Sequence, residues 1–163
     1  MNDNTQRDLQ TELWWAVAGG GDEAKVRRLL EAGIDPNIRD PFTAVPPENG
    51  KESLSLLALA IESKRPKVVR LLLEHGADPN ILAIIGPYGN EMSPFSFTTV
   101  FGRHAFAIET ALLEHGAKVT GSNLDVLSRC GKYGEHLIEI IKRYYPEDVM
   151  EWWCKRPEDR KQS

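Results

Sequence analysis

Cysteine is scarce in this chain. Only Cys130 and Cys154 occur among 163 residues, and they match no paired metal spacing. The four histidines form no H-x-x-x-H pattern, so no zinc site is expected. No apolar run approaches the roughly 20 residues that a membrane span requires. The first ten residues are polar and lack the apolar core of a secretory signal. Neither charge sign dominates: 20 Lys and Arg stand against 24 Asp and Glu, for a net charge of −4. That balance excludes a general nucleic-acid footprint. Gly19-Gly20-Gly21 lacks the G-x-x-x-x-G-K-[ST] pattern of a phosphate loop. No triad, carboxylate pair or cofactor motif is present, so no enzyme and no cofactor are expected. These absences leave a soluble, monomeric protein of a reducing compartment, the cytoplasm, with one domain large enough to bury a core.

What is present is repetition. Leu71-Leu72-Leu73-Glu74-His75-Gly76-Ala77-Asp78-Pro79-Asn80 has an upstream counterpart in Leu29-Leu30-Glu31-Ala32-Gly33-Ile34-Asp35-Pro36-Asn37. Downstream stands Leu112-Leu113-Glu114-His115-Gly116-Ala117-Lys118. The aligned glycines are 43 and 40 residues apart. A unit recurring every few tens of residues signals a solenoid, and solenoids usually bind other proteins.

Each unit reads as two short helices. In the first, Trp14, Val17 and Ala18 give an apolar face, and the glycine triplet then breaks the helix. Asp22 is the expected N-cap of the next helix, whose stripe is Val26, Leu29 and Leu30. Gly33 closes it in the left-handed conformation. The second unit repeats this with Leu56, Leu57, Ala60 and Ile61, then Val68, Val69, Leu71, Leu72 and Leu73. Pro66 falls in the first turn, where its missing amide does no harm. The third unit has Phe97, Val100 and Phe101, then Ile108, Leu112 and Leu113. A degenerate fourth has Val126 and Leu127, then Leu137, Ile138, Ile140 and Ile141, with Tyr144 in the glycine register. His75 and His115 share one repeat position, so their recurrence has a structural cause. Cys130 is expected as a buried spacer.

These residues resemble the ankyrin repeat family, most clearly in Leu-Leu-Glu-His-Gly-Ala-Asp-Pro-Asn. The resemblance implies an all-α solenoid of about four units, at about 12–38, 55–82, 95–120 and 123–145. A C-terminal helix at about 147–154 follows. The family's Thr-Pro-Leu-His opening is absent. Its place is taken by Glu12-Leu13-Trp14-Trp15, Ser55-Leu56-Leu57-Ala58 and Phe95-Ser96-Phe97-Thr98. The spacings exceed the family period of about 33 residues, so the connections after Asn37 and Asn80 are extended.

Insertions in solenoids gather on one face and often bind. The resemblance therefore implies protein recognition without catalysis, in an inhibitor, immunity-type or adaptor role. The expected surface joins the connections to the outer side of the first helices. Its candidates are Arg39, Asp40, Phe42, Leu59, Glu62, Ile84, Ile85, Tyr88, Asn90, Thr99 and Arg103, with Ala16 at the matching position of the first unit. Ile84 and Ile85 either cover neighbouring repeats or face the partner. Trp14-Trp15 and Trp152-Trp153 lie near the two ends and are expected to cover them. Lys25, Arg27, Arg28, Lys64, Arg65, Lys67 and Arg70 form a basic band on the second helices. It is either a solvated face or a site for an acidic partner or nucleic acid. A small-ligand receptor or enzyme is the remaining alternative and would need a deep pocket.

Overall fold

The structure, a computed structural model, describes residues 3–20, 22–41, 53–85, 90–100, 106–147 and 149–150. Among them helices α1 (Asp3–Ala18), α2 (Glu23–Glu31), α3 (Leu56–Glu62) and α4 (Pro66–Glu74) precede a hairpin of β1 (Ala83–Ile85) and β2 (Asn90–Met92). Helices α5 (Pro94–Val100), α6 (Phe106–Glu114), α7 (Gly121–Leu127) and α8 (Gly131–Ile141) follow. Consecutive helices pack in pairs, α1 on α2, α3 on α4, α5 on α6 and α7 on α8. The pairs also pack on one another in two rows. One row runs α1, α3, α5, α7, and the other α2, α4, α6, α8. One apolar core runs through both rows, from Leu13 and Val17 through Leu57, Ile61 and Leu72 to Leu112, Leu127, Leu137 and Ile141.

The sequence carries these ends locally. Asp22 Oδ1 accepts from Lys25 N at 3.0 Å and caps α2. Ser55 Oγ does the same for α3, accepting from Ala58 N at 3.1 Å. Pro66 opens α4. Gly33, Gly76 and Gly116 have φ of 84°, 90° and 83°. Each makes the same two bonds, seen at Gly33 N to Leu30 O, 2.9 Å, and Ile34 N to Leu29 O, 3.2 Å. This is a Schellman stop, and a β-carbon would strain it. Thr120 and Asn123 form a capping box on α7.

Several expectations are corrected. The chain is mostly helical rather than all-α, because the second connection folds into the antiparallel pair β1–β2, with Ala83 opposite Met92 and Ile84 opposite Glu91. The third pair starts two residues earlier than the glycine alignment implies. Ser93 Oγ accepts from Ser96 N at 3.2 Å, so Ser93, not Phe95, corresponds to Ser55. Thr99 then matches Ile61 instead of Leu59, and like Ile61 it is buried. In α1 the inner face is Leu13, Trp14, Ala16 and Val17, while Ala18 is exposed. The tryptophan pair divides, as neighbours on a helix must. Trp14 is 6% exposed and Trp15 57%. Cys130 is half-buried, with Sγ 3.3 Å from Val126 O. Helix α8 ends at Ile141, and Tyr144 is exposed beyond it rather than closing a helix. Helix α1 begins at Asp3, well before residue 12. Trp152, Trp153 and Cys154 lie outside the described residues.

Candidate functional site

The connections are held in place by residues of the repeated Asp-Pro-Asn motif. Asn37 reaches across to the next pair, where Nδ2 donates to Gly76 O at 3.1 Å and Oδ1 accepts from Asp78 N at 2.7 Å. Asn80 repeats the clamp on Gly116 O, 3.1 Å, and Lys118 N, 2.8 Å. Each preceding aspartate holds its own turn, Asp35 Oδ1 accepting from Asn37 N and Asp78 Oδ1 from Asn80 N, both at 2.8 Å. Three successive turns are thus tied side by side. The third is also gripped from the far side. Tyr145 Oη accepts from Val119 N at 2.7 Å and donates to Ala117 O at 2.8 Å. His75 and His115 sit inside this frame, each Nδ1 donating to the carbonyl four residues back, at 2.9 and 2.8 Å. Their shared structural cause is therefore closure of a helix end.

A small β-layer spans the first two connections. Asp40 N donates to Leu54 O and Leu56 N to Ile38 O, at 3.0 and 2.9 Å. Ser53 and Ile84 exchange both backbone bonds, at 2.9 and 3.0 Å. β1 therefore lies between Ser53 and β2. Arg39 fastens the layer, with Nη2 donating to Leu82 O at 2.8 Å and Nη1 to Ser53 O at 3.4 Å. Alternation gives the hairpin two faces. Ala83, Ile85 and Met92 pack toward the core. Ile84 and its partner Glu91 point the other way.

The candidate residues separate accordingly. Ile84 is half-buried on the outer face of this layer, while exposed Asn90 pairs with Ile85 and half-buried Asp40 lies opposite Leu54. Arg39 belongs to the same layer but fixes its backbone. Ile85 supports it from below. Leu59, half-buried, and Glu62, exposed, sit apart on α3. Thr99 and Ala16 are buried and offer no surface, correcting their assignment to it. The Thr99 hydroxyl donates to Ser96 O at 3.0 Å and accepts from Asn123 Nδ2 at 3.3 Å. It joins α5 to α7 through a buried polar contact. Phe42, Tyr88 and Arg103 lie outside the described residues. Sequence reading missed Glu91, Ser53 and the clamping asparagines. Asn37 and Asn80 were visible in the repeat itself, since a polar residue recurring after Asp-Pro asks for a recurring hydrogen-bond role.

The basic band is interleaved with carboxylates. Lys25 lies 3.1 Å from Glu12, Lys67 3.5 Å from Glu23 and Arg70 2.9 Å from Glu114. Among the described residues no three His, Cys, Asp or Glu side chains gather to hold a metal ion. No helix there is long and apolar enough to cross a membrane.

Comparison with known proteins meets this geometry at its centre. Residues 54–83, from the β-layer through α3 and α4 to β1, match the family model for the ankyrin repeat. An ankyrin repeat protein of fowlpox virus (strain NVSL) is 27% identical over 143 aligned residues, covering 69% of this chain. The chain spans only 18% of that relative's length. The chain thus contains one matched ankyrin repeat, bounded by inter-repeat clamps, and is similar to a relative of the same kind.

Proposed function

We propose that the chain is a non-catalytic protein-recognition module built as a solenoid of four ankyrin-like units. The units are those expected at about 12–38, 55–82, 95–120 and 123–145. The partner docks on the connection side, centred on the hairpin of the second connection, and is blocked, sequestered or scaffolded there. The observation that carries this reading is the β-layer. Arg39 and the backbone pairs at Ser53 and Ile84 join the described parts of two connections into one layer, and that layer loses little ordering entropy on binding. Ankyrin repeats are in general protein-interaction units, which agrees with a built surface and with the lack of any catalytic motif.

The alternatives gain less support. Nucleic-acid binding through the basic band would need a contiguous positive patch, and Glu12, Glu23 and Glu114 interrupt it. The test begins with affinity capture and mass spectrometry. The captured protein is then titrated against wild type, Ile84→Asp and the outer-helix control Glu135→Lys. Ile84→Asp should weaken binding about tenfold or more, equivalent to about 1.4 kcal/mol, with melting little changed. The control should bind as wild type. If only Glu135→Lys lowers affinity, the partner sits on the outer helices and the proposal fails.

A further inference from the structure

The β-layer has four segments, in the order 38–40, 53–55, β1 and β2, and the two inner ones are paired on both sides. In an antiparallel pair, the amide and carbonyl of one residue point the same way, and the direction alternates along the strand. Ile84 spends both groups on Ser53. Ala83 and Ile85 therefore turn theirs toward Met92 and Asn90. The amide and carbonyl of Glu91 then face away from β1, along the open edge of the layer. Among the described residues neither group makes a hydrogen bond.

The opposite edge has the same pattern at Arg39, because Asp40 N and Ile38 O take the bonds to 53–55. The two edges differ in access. Ile38 is buried, and Arg39 and Asp40 are half-buried, whereas Asn90 and Glu91 are both exposed. An exposed edge strand is a template for another extended chain. A second copy of this chain fits it badly. Two β2 strands paired about Glu91 would set Glu91 against Glu91, and like charges directly opposite destabilise a pair. A strand from a different protein carries no such penalty.

We infer that the partner engages this site by strand addition: an extended segment of it pairs antiparallel with β2 and becomes the fifth strand of the layer. The inference rests on the connection-side reading proposed above. One residue of the segment exchanges both backbone bonds with Glu91. That residue is not acidic, by the same like-charge rule. The residue before it stands opposite Met92, which packs toward the core, and is apolar. The residue after it stands opposite the exposed Asn90 and is polar. Main-chain bonds hold such a segment, and its alternate side chains give selectivity.

The test uses the full chain and a short synthetic peptide with valine, threonine and serine in that order at its centre. A second peptide is the same but N-methylated at that threonine. Binding is followed by backbone-amide NMR. The first peptide should bind saturably, shift the Glu91 amide and slow its exchange with water. N-methylation removes the donor to Glu91 O and should weaken binding about tenfold. Glu91→Pro removes the outward amide, which an edge strand tolerates, and should weaken binding about as much. Glu91→Thr keeps that amide and should bind at least as well as wild type. If the N-methylated peptide binds as tightly as its parent, or Glu91→Pro as tightly as wild type, main-chain pairing is absent and strand addition is overturned. Absence of saturable binding, or shifts confined to α2 and α4, overturns it as well. The connection-side reading is tested separately, by Ile84→Asp against the captured protein, and it survives each of these results if that variant loses affinity.

Discussion

At the scale of single residues, two side chains do most to hold one helix pair to the next without contributing apolar area. Asn80 satisfies a carbonyl and an amide of the following turn at once. Asn80→Ala removes both bonds at a partly exposed position, so the expected loss is about 1–2 kcal/mol. Asn80→Asp keeps acceptance from Lys118 N but turns a carboxylate oxygen toward Gly116 O, and it should fall between. Urea midpoints of the three proteins check this, and an unchanged midpoint for Asn80→Ala would mean the clamp is not formed. Gly134 matters for the opposite reason, what it leaves out. A β-carbon there would lie 1.8 Å from the backbone oxygen of Leu127. Helix α8 rests directly on the end of α7, so Gly134→Ala must push the two apart. A cost of about 1–3 kcal/mol is expected, as for other overpacked positions. Equal thermal melting of the variant and wild type would show that the two helices do not approach this closely.

At the scale of elements, α4 is the best-supported helix. It packs on α2, α3 and α6, and Val68, Val69, Leu71, Leu72 and Leu73 are all buried. Leu72 is fully enclosed, so Leu72→Ala should destabilise by about 2–5 kcal/mol, read from denaturant unfolding. A midpoint equal to wild type would contradict the burial. After the first pair the leading helices are shorter, seven residues each in α3, α5 and α7. Helices so short are marginal alone and need their caps and neighbours. The family's Thr and His opening is missing. In its place Ser55, Ser93 and Thr120 cap the helix starts. Asn123 then links α7 to α5 through Ser96 Oγ at 3.0 Å and Thr99 Oγ1 at 3.3 Å. The hairpin is a different kind of element. Three residues per strand would not persist alone, and it stands because Ile85 and Met92 pack on the core and Ser53 pairs with its inner strand.

At the scale of the molecule, the extensive contacts of each helix pair among the described residues are with its sequence neighbours, so stability is a chain of local couplings. The C-terminal pair has a neighbour on one side among the described residues. There Tyr145 holds Ala117 and Val119, and Tyr133 donates to the buried Glu109 carboxylate. Tyr145→Phe deletes one grip and little volume. Amide hydrogen exchange should speed up in α7 and α8 by a factor of about 5, about 1 kcal/mol, while α3 and α4 keep wild-type protection. Uniform acceleration through all helices would show that the array unfolds as one unit.

Helix pairs, their stops and their caps were decided by the sequence alone. The reason is locality: Asp22, Pro66, Gly33, Gly76 and Gly116 act within one or two turns of themselves, and the leucine stripes follow a helical period. The ankyrin character was legible for the same reason, since Gly-Ala-Asp-Pro-Asn is a local device repeated. The connection surface was legible only as a place. Ile84 and Ile85 read alike in the chain, yet pairing with Glu91 and Asn90 sends one outward and the other onto the core. Arg39 read as a surface cation, but Leu82 O, 43 residues away in sequence, claims it. Thr99 read as exposed because the glycines set its register, while the Ser93 cap moved it by two residues and buried it. In each case the deciding partner is remote in sequence, and only the folded chain brings it within hydrogen-bonding or packing distance.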